Sequence, residues 1–111
     1  SWRSRRALGN DTGLKDHAAR HSDLSPAAYL RAGQKNVAEG IPLSGGKHPG
    51  ATYWVRKVGD DAYSMTIADK SGKILSIDTW SNSGSAITRG VLERGFVANG
   101  IQPPKNFWGG L

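Results

Sequence analysis

Two imidazoles four residues apart, His17 and His21, are the side chains of this 111-residue sequence best suited to proton transfer. At positions i and i+4 of a helix they stand one above the other, with Cβ atoms roughly 5–6 Å apart, and can address one substrate group. Imidazole titrates closer to neutral pH than any other unperturbed side chain, so it takes or gives a proton with little penalty. Lys15 and Arg20 flank the pair and Arg56 supplies a further cation. Such a set matches the needs of metal-free RNA cleavage. A base takes the proton of a ribose 2′-OH, the oxygen attacks the adjacent phosphorus, and an acid protonates the departing 5′-oxygen. Cations meanwhile stabilise the charge that develops on the phosphorane oxygens.

Other readings of the same residues stay open. His17 and His21 share a stripe with Leu14 and Ala18, and hydrogen-bonded core histidines satisfy that pattern too. Histidines at i and i+4 can also chelate zinc, with His48 completing a set of three. No Glu stands beside His17 and the chain has no Cys, so a metal site is not expected. Lys47-His48-Pro49-Gly50 can approach a phosphate through a Lys and exposed N–H groups, or be only a turn. Thr79 and Trp80, at the end of a strand, put a hydroxyl and an indole at a sheet rim, where one can donate to a phosphate oxygen and the other stack on a base. Trp80 fits a core position equally well.

The elements that must position these groups are visible in the periodicity. Residues 1–10 are basic, have few apolar side chains and read as a linker or arm; residues 11–111 read as one domain. Leu14, His17, Ala18 and His21 follow a helical face, which predicts a first helix over roughly residues 13–22. Ser25-Pro26 opens a second helix carrying Ala28, Tyr29, Ala32 and Ala38, with Gly33 as its weak point. After a polar, Gly-rich interruption over 40–50, a two-residue period predicts strands over 51–58, 62–68 and 73–79, joined by hairpin-sized connectors. Tyr63, Met65 and Ile67, with Leu75, Ile77 and Thr79, are the expected core faces. Ile87, Val91, Leu92 and Phe96 predict a further helix over 85–99, weakened by Gly90 and Gly95, and the tail over 105–111 is expected to lie on the body as an extended strap. The fold expected is α+β: N-terminal helices packed on a twisted antiparallel β-meander, with a C-terminal helical extension.

Fifteen Lys and Arg against nine Asp and Glu give a formal charge of +6, a large excess for one small domain. It favours polyanionic partners, because each cation that meets a phosphate releases condensed counterions. The absence of Cys excludes disulfides, thiolate metal sites and cysteine nucleophiles. No apolar run is long enough to cross a bilayer, so stable membrane association is not expected. The first residues include neither a start Met nor an apolar signal segment, from which we expect a piece of a longer protein.

Leu14-x-x-His17-x-x-x-His21, then Ser25-Pro26-Ala27-Ala28-Tyr29-Leu30-x-x-Gly33, then a meander ending Leu75-Ser76-Ile77-Asp78-Thr79-Trp80, resembles the barnase, EndoU, colicin and RelE superfamily of small ribonucleases. The likeness covers roughly residues 13–80 and is strongest to the colicin D type and to toxin domains at the C-termini of contact-dependent inhibition and Rhs proteins. It implies a metal-independent, cofactor-free endoribonuclease toxin, acting as a monomer on RNA, often tRNA. It implies delivery from the cell surface or by secretion within a larger effector, action in the target-cell cytoplasm, and a cognate immunity protein, acidic because the toxin face is basic. On matching positions the helix histidine is His21, its preceding basic residue Arg20, its partner on the same face His17, and the hydroxyl and aromatic of the last core strand Thr79 and Trp80. Lys15, Arg56, Trp80, Lys47 and His48 are the expected RNA-binding residues. Leu24-Ser25-Pro26 replaces a longer Gly-containing turn, and residues 85–111 are added, which leaves open which histidine is base and which acid. A non-catalytic nucleic-acid-binding module is the alternative. An NAD-using effector lacks a suitably placed Glu late in a strand.

Overall fold

The computed structural model describes residues 26–81 and 87–111. The arm over 1–10 and the predicted first helix, with Lys15, His17, Arg20 and His21, lie outside the described residues. The remainder is α+β: α1 (Pro26–Glu39), β1 (Ile41–Ser44), β2 (Thr52–Gly59), β3 (Ala62–Ala68), β4 (Ile74–Ile77), α2 (Arg89–Ala98) and a short 3-10 turn over Trp108–Gly110. The four strands form one antiparallel sheet in sequence order.

Both faces of the sheet are covered, which is why β3 buries Tyr63, Ser64, Met65 and Thr66 in succession rather than alternately. On one face α1 packs Tyr29 and Leu30 against Ile74 and Ile77. Its buried stripe is Tyr29, Leu30, Gly33 and Asn36 at helical spacing. Of the expected Ala28, Tyr29, Ala32 and Ala38, Tyr29 is buried, Ala28 and Ala32 are partly buried and Ala38 is exposed, and the polar Asn36 is turned inward instead. On the other face the larger core joins Tyr53, Val55 and Met65 to Leu92 and Phe96 of α2 and to Ile101 and Phe107 of the tail. Each fully buried side chain of this size contributes about 1.5–3 kcal/mol. Residues after the meander are therefore half of the main core rather than an appended extension.

Three further expectations are corrected. The polar stretch over 40–50 contains β1, a four-residue edge strand whose Pro42 is tolerated because it lies at the margin of the sheet. The last strand stops at Ile77, and a register shift between Ile67 and Ala68 breaks its period: Ile74 and Ile77 are buried while Leu75 and Thr79 are exposed. The tail ends in a 3-10 turn with Phe107 buried, not in an extended strap. The last helix starts at Arg89 with Thr88 as its N-cap, the Thr88 hydroxyl accepting from the Val91 N–H at 3.3 Å. Asp61 of the β2–β3 hairpin accepts from the Arg89 N–H at 2.9 Å, which ties that hairpin to the helix start.

Candidate functional site

The end of β4 is shaped by Asp78, whose φ of 51° is uncommon for a residue with a side chain. Its carboxylate accepts from Ser64 Oγ (2.9 Å) and from the Met65 N–H (2.8 Å), and these bonds hold the bend. The bend delivers Thr79 and Trp80 to the α2 side of the sheet. There they line a cleft of about 300 Å³ with His48, Tyr53, Ser76 and Asn99. His48 comes from the loop between β1 and β2. That loop is fixed by a turn closed from the Ala51 N–H to the His48 carbonyl (3.1 Å) and by the Lys47 N–H, which donates to the Asn99 carbonyl (2.8 Å). A shallow hollow next to it adds Lys70. Three residues singled out by type alone thus converge from two separate segments, with the Lys47 side chain exposed at the same loop.

The walls of the cleft are chemically distinct. Burial pushes the Tyr53 phenol up from its ordinary pKa, so it stays a neutral hydroxyl near neutral pH. Ser76 Oγ is buried without a hydrogen-bond partner. Trp80 is half-buried, stacked on Tyr53 (5.8 Å, 29°) and edge-on to Phe96 (5.7 Å). A Cβ on Gly95 would sit 2.4–2.7 Å from three atoms of the indole, so α2 lies directly against one ring face. Trp80 is therefore chiefly a wall, and the free stacking face expected from the sequence is largely taken up by packing. Gly95→Ala is expected to lower stability by up to about 2 kcal/mol: an overpacking cost of roughly 1–3 kcal/mol is set against a gain in helix propensity of about 1 kcal/mol. A urea melt reads the loss, and the indole N–H signal of Trp80 reads its displacement.

Arg56 lies elsewhere. It pairs with Ser64 in register, and its Nε donates to Asn36 Oδ1 (2.9 Å) on the α1 face of the sheet, opposite the cleft. Asn36 is fully buried and donates in turn to Ser64 Oγ (2.8 Å) and Thr66 Oγ1 (3.1 Å), while Thr66 donates to the Gly33 carbonyl (2.8 Å). The structure thus brings His48, Thr79 and Trp80 together, with Lys47 beside them, and does not bring Arg56 to them.

No family model, curated protein or solved structure matches the chain.

Among the described residues no three His, Asp or Glu side chains cluster as a metal site, and no helix is long and apolar enough to cross a membrane. Tyr53, Ser76, Asn36 and Lys70 were not marked by the sequence. Their roles arise from register across the sheet and from loop closure, for which local spacing carries no signal. Asp69, beside Lys70, holds the β3–β4 turn. Its carboxyl pKa is lowered first by the hydrogen bond from the Ser71 hydroxyl and then by that from the Lys73 N–H.

Proposed function

We propose that this chain is a metal-independent endoribonuclease toxin module that binds single-stranded RNA, such as a tRNA loop, and cuts it by 2′-OH attack. The observation that carries the reading is the convergence of an imidazole, two hydroxyls and an indole, His48, Ser76, Thr79 and Trp80, on one cleft of a domain with a charge of +6. Thr79 orients a phosphate, and His48 and Lys47 hold the backbone that runs past it. His17 and His21 exchange the protons, with Arg20 and Lys15 as phosphate cations. These proton-transfer and cation roles are assigned from the resemblance and from residue type.

Incubating the protein with total RNA in EDTA is expected to give fragments ending in 2′,3′-cyclic phosphate. Activity that vanishes with EDTA and returns with zinc would overturn the mechanism. In the cellular setting we assign to it, the module is delivered within a larger effector, acts as a monomer in the target-cell cytoplasm, and is blocked by an acidic immunity protein covering its basic face. A second reading, binding without cleavage, draws on the placement of Arg56 on the face opposite the cleft. Salt-sensitive binding with no product after long incubation would favour it.

A further inference from the structure

The α1 face of β2 carries a second aromatic and cation pair. Trp54 and Arg56 are two residues apart on one strand and so point to the same face, about 6.8 Å apart along it. Trp54 pairs with Pro42 and Thr66, Arg56 with Ser64. Both are half-buried.

Three observations set this pair apart from ordinary surface residues. Among the described residues Trp54 belongs to neither apolar cluster and has no ring partner, whereas Trp80 and Trp108 are packed into the core. Its indole is partly exposed while lying outside both clusters. Arg56 faces no carboxylate among the described residues; the ion pair there is Arg89–Glu93. Finally, the guanidinium is oriented from inside the protein, because Nε is bonded to the amide oxygen of the fully buried Asn36 and that amide is itself held by Ser64 and Thr66. Among the described residues one of the five guanidinium N–H groups is used, and the remaining ones lie in the same plane, the geometry that suits bidentate recognition of phosphate oxygens.

We propose that Trp54 and Arg56 form a platform for one nucleotide of single-stranded RNA, the base stacked on the Trp54 indole and the phosphodiester oxygens held by Arg56, with Asn36 as the residue that positions the guanidinium. A flat ring face accepts any base, so the platform adds affinity with little sequence preference. The proposal rests on RNA being the substrate and gives the protein a second contact on the face away from the cleft.

Equilibrium binding of a 2′-O-methyl oligoribonucleotide tests it, since that probe has no free 2′-OH and is not cut by the proposed chemistry. Trp54→Leu is expected to weaken binding about 5- to 100-fold, while an abasic backbone of the same length binds the variant and the wild type equally. Arg56→Gln is expected to weaken binding to both probes and to reduce the slope of log affinity against log salt by about 0.7. Arg56→Lys keeps the slope but loses affinity, because the ammonium lacks the fixed fork. In the wild-type protein, titration with the same oligonucleotide shifts the Trp54 indole N–H and Arg56 Nε–H signals and leaves that of Trp108 in place. A Trp54→Leu variant that binds like wild type, or that loses as much affinity for the abasic backbone, overturns the platform, as do wild-type signals that stay still. RNA cleavage that persists in those cases leaves the endoribonuclease reading intact. Conversely, a working platform on a protein that never cuts RNA removes the enzyme and keeps the binding site. Wild-type protein that binds neither probe sinks both.

Discussion

Replacing Phe96 by alanine is expected to lower the stability of the domain by about 3–5 kcal/mol, the range for a fully buried phenylalanine. Phe96 is 1% exposed and stands at the centre of an aromatic group. It meets Trp80 edge-on at 5.7 Å, Phe107 edge-on at 6.0 Å and Trp108 at 6.3 Å and 40°. Such pairs add about 0.5–1.5 kcal/mol each beyond the area they bury, and the cavity left by truncation is flanked by rigid rings that collapse poorly. For a domain of this size the loss corresponds to a fall in Tm of more than about 10 °C, measurable by circular dichroism. Phe96→Leu, which keeps most of the volume, is expected to cost far less. A Phe96→Ala variant within about 1 kcal/mol of wild type would mean that α2 and the tail do not pack on the sheet as described. The effect also bears on the cleft, because Phe96 and Gly95 together prop the Trp80 wall from behind.

β2, β3 and the last helix were legible from their local pattern, and β4 was legible as a strand but not in its faces, because the register shift breaks its alternation. The meander followed because Gly59-Asp60-Asp61 and Asp69-Lys70-Ser71-Gly72 are too short for any crossover. What escaped has in each case a cause outside the local pattern. β1 is four residues long and contains Pro42, so it offers neither length nor propensity; only pairing with β2 makes it a strand. Gly33 and Gly95 weaken isolated helices, yet both are places where a helix comes too close for a Cβ: Gly33 against Ile77, Gly95 against Trp80. The inward turn of Asn36 follows from partners on β2 and β3, residues 20 to 30 positions away. Of the site, residue type was enough to mark His48, Thr79 and Trp80, but not that Arg56 belongs to the other face. That fact was available in principle, since Tyr53 and Val55 alternate with Trp54 and Arg56 along a strand, and one of the two sets must face away from the aromatic core.

The proton-transfer assignment makes the other large prediction. If His17 and His21 act as base and acid, His17→Ala and His21→Ala are each expected to lower kcat for RNA cleavage by about 10²–10⁴-fold, the usual contribution of a positioned acid or base, with Tm unchanged within a few degrees. The pair acts as a unit, so the double variant should cut little more slowly than the worse single one. His48 has a different part to play. It lines the cleft beside the Lys47 loop and far along the chain from His17 and His21, so His48→Ala should raise KM with kcat nearly unchanged, the signature of binding that is uniform in ground and transition states. The pH profile separates the same roles: two imidazoles exchanging protons give a bell-shaped kcat, and removing one of them leaves a single limb. Should His48→Ala instead abolish kcat while the His17→Ala and His21→Ala variants cut normally, the acid or base is the imidazole of the cleft itself. The chemistry would then have to be rebuilt around His48, Tyr53 and Thr79.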